Sequence, residues 1–203
     1  TVVPASGVLA GFNTDVTGIA SAIRRACSLA ERPLPTSAVV LGARATASSA
    51  LAALGELGIT ASAVAARRFG GPGSVVAAAS RLGVSIEQVL WSDVDAVLRA
   101  LRAADLVIST LPAGVADPLA QQMEVREGQV LLDVVYSPRE TALRSSFTKN
   151  GGVVAEGTDM LIFQAAAQVQ LMTGRSPNTD VMRDALEREL LRRAQVSGGG
   201  SAS

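Results

Sequence analysis

The sequence predicts an α/β fold, a parallel sheet covered on both faces by helices. Two observations carry this. The apolar runs SAVVL, DLVIS and QVLLDVV are continuous rather than alternating, the pattern of strands buried on both faces. Between them lie stretches with helical spacing, the usual connection between parallel strands. With 203 residues, 48% of them hydrophobic, the chain can fill one substantial core.

The elements follow in order. Residues 15–30 set Val16, Ile19, Ala20, Ile23, Ala26 and Cys27 near helical spacing and predict a helix with one apolar face. ERPLPT, residues 31–36, carries two prolines, ends that helix and reads as a linker. Residues 37–58 read as a short β-branched strand, a turn at Gly42 and a long Ala/Leu helix closed by Gly58. Residues 59–68 form a second strand, followed by the loop FGGPGS and a helix over 75–83. A third strand over 105–114 ends in a turn; a fourth is expected over 129–138 and a short fifth over 151–157. Two helices, 160–170 and 178–194, are split at TGRSPN, and the tail VSGGGSAS is a low-complexity segment expected to be disordered. Together these make a doubly wound, Rossmann-like sheet with flanking helices, and such sheets bind ligands at the carboxyl ends of their strands.

Composition removes several function classes. Lys+Arg and Asp+Glu stand at 18 each, so no global field recruits nucleic acid. There is no histidine, which excludes Ser-His-Asp and Cys-His catalysis and histidine-ligated zinc; no metal is expected. One cysteine, Cys27, allows no internal disulfide and suits a reducing compartment. No apolar run is long enough to span a bilayer, so no membrane partner is expected and the chain reads as a soluble cytoplasmic protein. Of the 18 basic residues only Lys149 is a lysine.

Three stretches carry candidate chemistry. Asn13, Thr14 and Asp15 crowd polar side chains where the first helix begins. They can cap it by accepting from first-turn N–H groups, or they can edge an active site. Residues 42–47, Gly42-Ala43-Arg44-Ala45-Thr46-Ala47, follow the first strand as a dinucleotide-binding G-x-G-x-x-G/A loop would, but with arginine in the middle position. Either the Arg44 guanidinium reaches a phosphate, or its side chain blocks close approach of the pyrophosphate; the clearance argument favours weaker binding. A generic strand–turn–helix gives the same local pattern. Ala66, Arg67 and Arg68 end the second strand with no acid for a ribose 2′-hydroxyl, which favours NADP over NAD unless the arginines only form a solvated basic turn.

Four stretches in order resemble the shikimate dehydrogenase family. They are GFNTDVTG (11–18), the strand–glycine loop–helix VVLGARATASSALAALGELG (39–58), STLPAG (109–114), and DVVYSPRETAL (133–143) with GTDMLIFQAAAQVQLMTGRSP (157–177). The resemblance implies an NADP-dependent oxidoreductase that reversibly reduces 3-dehydroshikimate to shikimate. It makes Asp15 the catalytic carboxylate that holds the reacting substrate hydroxyl, with Tyr136 and Gln164 beside the substrate. Gly42, Ala43, Arg44, Ala45, Thr46, Ala66, Arg67 and Arg68 would line the cofactor, with Val134 and Gly157 at its nicotinamide end. A close variant is a quinate/shikimate dehydrogenase using NAD, and the reading from another class is a Rossmann-like binding module without catalysis.

The resemblance also divides the chain into a linker helix over 1–36, an NADP-binding domain over 37–157, C-terminal helices over 158–195 and a disordered tail over 196–203. The family's amino-terminal domain, which supplies the catalytic lysine, is expected to lie outside this sequence. Lys149 is expected in a solvated loop, with no route to Asp15. Nothing in the sequence fixes an oligomeric state.

Overall fold

The computed structural model describes residues 1–5, 7–71 and 73–198. An antiparallel hairpin comes first, β1 (Val2–Ala5) with β2 (Val8–Gly11), closed where the Thr1 ammonium and the Phe12 N–H each donate to the other residue's carbonyl. Helix α1 (Thr14–Leu29) follows. Then come β3 (Ser37–Leu41), α2 (Ala45–Glu56), β4 (Ala61–Ala66), α3 (Val75–Leu82), β5 (Glu87–Leu90), α4 (Val94–Ala103) and β6 (Leu106–Ser109). The chain continues through α5 (Asp117–Ala120), β7 (Val130–Asp133), α6 (Ala142–Lys149), β8 (Val153–Ala155), α7 (Gly157–Thr173) and α8 (Thr179–Gly198).

Six strands form one all-parallel sheet in the order β5-β4-β3-β6-β7-β8. The chain winds outward from β3 in one direction, then returns to start again at β6, so the order reverses between β3 and β6. The expected doubly wound α/β fold is the one observed. Because successive residues of a strand point to opposite faces, each central strand feeds two cores. Ala38, Val40, Leu106, Ile108, Val130 and Leu132 pack with α1, α2 and α3. Val39, Leu41, Val107 and Leu131 pack with Val97 and Leu101 of α4 and with Leu143 and Phe147 of α6. All of these residues are buried. At about 1.5–3 kcal/mol for each fully buried Val or Leu, this double-sided burial is what selects a parallel sheet for these runs.

Several elements depart from the sequence expectation. The hairpin was not assigned, because Pro4 interrupts one four-residue strand and the other is too short to show alternation. Strand β5 reads EQVL; as an edge strand it buries only Val89 and shows no apolar run. Helix α4 also went unassigned, although Asp93 caps it and Val94, Val97, Leu98 and Leu101 repeat at helical spacing. Helix α6 contains Lys149 as its last, exposed residue, so the expected solvated loop is a helix end. The tail expected to be disordered from residue 196 is helical through Gly198, because α8 continues that far; residues 199–203 lie outside the described residues.

The linker is tied down where it enters the sheet. Asp105 Oδ2 accepts from the N–H and the hydroxyl of both Thr36 and Ser37 at 2.8–3.2 Å, while Arg126 meets Oδ1 at 3.3 Å. The Asp105 side chain is half-exposed, and burial by itself would raise its carboxyl. The hydrogen bonds from Thr36, Ser37 and Arg126 outweigh that and hold it down at about 2.

Helix α7 lies across α1 in the opposite sense. Gln168 donates to Thr14 at one end, Gly18 faces Gln164 in the middle, and Arg25 meets Asp159 at the other. Asp159, buried on α7, also accepts two bonds from Arg183 of α8 at 2.8 and 3.0 Å, which joins three helices at one carboxylate. Arg25 Nε sits 3.2 Å from that carboxylate at an angle that makes no hydrogen bond.

Candidate active site and cofactor face

The carboxyl end of β3 opens into the glycine loop. Gly42 has φ +111°, a conformation that L side chains rarely adopt. A Cβ there would also collide with the Thr110 hydroxyl, which is fixed by donating to the Leu41 carbonyl at 2.8 Å. Glycine is therefore required at 42 twice over. Arg44 is different. It is the N-cap of α2 with φ −101°, ordinary extended backbone, and its side chain caps nothing. The first-turn N–H groups of α2 point out of the sheet edge with no side-chain cap and no acid in that turn, a ready setting for an anion.

The loop after β4 folds onto this one: Val75 N–H donates to the Ala43 carbonyl at 3.2 Å, and Ser48 reaches the Gly73 carbonyl. Strand β4 ends at Ala66, and Arg67 and Arg68 follow at once. Because β3 and β4 are hydrogen-bonded neighbours, the two strand ends lie about 5 Å apart. Arg44, Arg67 and Arg68 are all exposed, and among the described residues none of their side chains makes an ion pair or hydrogen bond. Residues 42–46 and 66–68, singled out separately in the sequence, thus form one basic, glycine-cornered edge on β3 and β4, with the β3–β6 reversal of strand order on its other flank.

Further along the same edge, β7 ends in Asp133, and Val134 N–H continues the ladder to the Ser109 carbonyl. Gly157 opens α7 against this segment: a Cβ on it would stand 2.7 Å from the Asp133 carbonyl and 3.3 Å from that of Val134. Tyr136, 45% exposed, and Gly157 line a shallow, open cleft with Asp133, Arg139, Arg144 and Glu156. Asp133 is itself buried and accepts from Val135 N–H and the Thr141 hydroxyl. Burial pushes its carboxyl up, although Thr141, Val135 and Ser109 oppose this with hydrogen bonds. Arg144 and Glu156 pair in bidentate fashion at 2.6 Å on each arm, bracing the cleft wall. Thr141 and the Arg144–Glu156 pair were not singled out from the sequence. The eight-residue spacing from Asp133 to Thr141 is a signal that could have found the first.

Asp15 lies at the head of α1. Asn13 is the cap: its side-chain oxygen accepts from Asp15 N–H at 3.2 Å, and its amide donates to Ser49 of α2. Thr14 is buried and accepts from Gln168. The polar triplet therefore divides its labour, and the Asp15 carboxylate, half-buried, is left with no hydrogen bond or ion pair among the described residues. Gly18, one turn on, packs against Gln164, whose Cβ would lie 3.1 Å from a Cβ on the glycine. The α1–α7 crossing thus sets Gln164 against Gly18, three residues after Asp15 on α1. Gln168, one turn beyond Gln164, was missed, since a contact spanning 154 residues leaves no local pattern. Lys149, at the end of α6, has no contact with Asp15. Among the described residues no cluster of three or more acidic, cysteine or histidine side chains could hold a metal, and no helix is long and apolar enough to cross a membrane.

Comparison with known proteins bears on the fold and the family. Residues 157–187 match the family model of the shikimate 5′-dehydrogenase C-terminal domain. The chain is 30% identical over 192 residues to the shikimate dehydrogenase (NADP(+)) of Methanopyrus kandleri, covering 89% of this chain and 63% of that protein. Among solved structures it superposes on shikimate dehydrogenase of Mycobacterium tuberculosis with a TM-score of 0.75 and 32% identity, covering 91% of this chain and 66% of that one. It also superposes on quinate dehydrogenase from Corynebacterium glutamicum in complex with NAD, with a TM-score of 0.76 and 26% identity, over 92% and 66% of the respective chains. The chain thus spans about two thirds of the length of the curated relatives it matches, 63% and 65% for those of Methanopyrus kandleri and Methanothermobacter thermautotrophicus.

Proposed function

The chain belongs to the shikimate dehydrogenase family, and on that premise we propose that it is the cofactor-binding part of an NADP-dependent oxidoreductase that reversibly reduces 3-dehydroshikimate to shikimate. The observation that carries the proposal is the basic strand-end edge: Arg67 stands unpaired beside the Gly42 turn, where a 2′-phosphate would find a charge-assisted partner. A cradle that a Cβ at Gly42 would fill, together with the uncapped end of α2, fits a dinucleotide. The nicotinamide of the bound cofactor supplies or accepts the hydride. Gly157 and Val134 border the place where its ring would lie, and a side chain at 157 would meet three carbonyls.

Proton handling falls to Asp15. Its unpartnered carboxylate can accept from the substrate hydroxyl, and Gln164, packed against Gly18 further along α1, can donate to a second hydroxyl. Tyr136, in the cleft beside Gly157, offers the substrate an amphipathic wall. A general base is efficient when a neighbour orients and tunes it, and in the family that neighbour is a lysine; no lysine of this chain serves. The substrate is a small molecule, with no role for nucleic acid, and the single buried Cys27 suits a reducing, cytoplasmic setting.

A second reading, a dinucleotide-binding module without catalysis, is favoured by one observation: among the described residues the Asp15 carboxylate has no hydrogen-bond or ion-pair partner. Titration of NADP and NAD into the chain tests the cofactor reading, with tighter binding of NADP expected. Assay of shikimate oxidation, with this chain fused behind the portion of a full-length relative that it does not span, separates enzyme from module.

A further inference from the structure

We propose that Arg44 holds the diphosphate shared by both nicotinamide dinucleotides, putting a guanidinium contact where a glycine in this position would give close backbone approach; the inference rests on the cofactor reading above. Three features of the structure lead there. Arg44 takes ordinary extended backbone, φ −101°, so the loop keeps glycine only at Gly42, where φ +111° and the Thr110 hydroxyl demand it. What a glycine at 44 would add is clearance alone. The Arg44 side chain, exposed and without a hydrogen bond or ion pair, originates at the uncapped positive end of α2, where nothing in the first turn offsets either charge. A guanidinium and a positive helix end on the same residue both favour an anion there.

The neighbouring strand end adds the rest of the pattern. Arg67 and Arg68 are equally exposed and unpaired, and the Ala43–Val75 hydrogen bond holds their loop against the Arg44 loop. Elsewhere Arg126, Arg144 and Arg183 are each engaged by carboxylates or carbonyls. Among the described residues Arg81, Arg99, Arg139, Arg175 and Arg188 also have free guanidiniums; what sets Arg44, Arg67 and Arg68 apart is that they stand together on adjacent strand ends. NADP carries its anionic groups at two separate places, the diphosphate and the 2′-phosphate; Arg44, at the glycine loop and the head of α2, is matched to the first, and Arg67, at the end of β4, to the second.

That division of roles sets the test. NADP, NAD and inorganic diphosphate are titrated into the 203-residue chain and its Arg44→Ala, Arg44→Lys and Arg67→Ala variants, with the emission of Trp91, whose backbone N–H donates to the Ala66 carbonyl, as a check that the sheet edge stays folded. Arg44→Ala is expected to weaken NADP and NAD by the same factor, about tenfold for an exposed charge-assisted contact, and to abolish competition by diphosphate. Arg44→Lys should keep part of both. Arg67→Ala should change only the ratio between the cofactors. Unchanged or tighter binding in Arg44→Ala would mean that the side chain obstructs the loop and would overturn the proposal. Weakening of NADP alone would overturn it too, by moving Arg44 to the 2′-phosphate. If the unmutated chain binds neither dinucleotide, the cofactor reading itself fails and this inference falls with it.

Discussion

Gly18 of α1 stands so close to α7 that a Cβ on it would lie 2.7 Å from the Met160 carbonyl oxygen. Two effects compete in Gly18→Ala. Alanine in a helix interior gains about 1 kcal/mol over glycine, whereas overpacking against fixed backbone costs about 1–3 kcal/mol. Here the obstacle is a main-chain oxygen, which cannot rotate away. Gly18→Ala should therefore lower stability by about 1–2 kcal/mol in urea unfolding. A stabilised variant would show that the two helices do not meet as described.

Cofactor preference should follow charge. Arg67 follows β4 with no acid beside it, and a charge-assisted contact with a 2′-phosphate contributes about 1.5–3 kcal/mol. NADP should accordingly bind about tenfold to a hundredfold more tightly than NAD, and Arg67→Ala should remove most of that difference without altering NAD affinity. Equal affinities in the unmutated chain, by calorimetric titration, would sink the claim.

Asp105 gives a pH signature independent of any ligand. Its folded carboxyl titrates at about 2 against an ordinary 3.8, so its contribution is fully present above that ordinary value and is lost as pH falls from there through about 2. The nominal shift corresponds to about 2.5 kcal/mol, but its side chain is 38% exposed, and solvent screening reduces this to about 1 kcal/mol. Asp133, pushed up by burial, acts in the opposite sense, so the comparison must be between the parent chain and Asp105→Asn. The variant should be less stable at neutral pH, with the gap closing toward pH 2. A gap that stays constant with pH would rule out the hydrogen-bonded carboxylate as its cause.

The sheet could be read from the chain where burial is two-sided. SAVVL, LVIS and VLLD are continuous apolar runs, and they became β3, β6 and β7. EQVL could not be read in that way, because an edge strand buries one residue in four and its polar positions face water. The hairpin failed for a related reason: Val2, Val8 and Leu9 are exposed, so burial imposed no period on them. In the site, the glycine loop and Arg67 declared themselves through local chemistry. Asp15 looked like a cap, and only the resemblance assigned it another role; the geometry then gave the capping to Asn13. The Thr14–Gln168 bond and the Gly18 clearance join segments far apart in sequence and leave no mark in either.

Since Asn13 supplies the capping oxygen, Asp15 contributes to folding only through its charge near the positive end of α1, about 0.3–1 kcal/mol at most. Asp15→Asn should leave thermal unfolding nearly unchanged. In a fusion that turns over shikimate, the same change should lower turnover about a hundredfold or more, because the group that takes the hydroxyl proton is gone. A nearly fully active Asp15→Asn fusion would reduce the residue to part of a helix start.

The 203-residue chain alone should show no measurable oxidation of shikimate, and the reason lies in what surrounds Asp15. Its carboxylate has no partner to orient it or to share the proton, and the single lysine, Lys149, ends α6 without touching it. Tyr136 is 45% exposed and the cleft beside it is open, so a bound substrate would be neither fixed nor shielded from water. Orientation and desolvation together account for several powers of ten in rate, which a competent cofactor edge cannot replace. NADP binding and catalysis should therefore separate: the chain binds the dinucleotide, yet NADPH does not accumulate when shikimate is added, and Arg44→Gly does not change that outcome. A spectrophotometric assay with a full-length relative as the positive control decides it. Clear turnover by the short chain would mean that Asp15 finds its proton partner within residues 1–203.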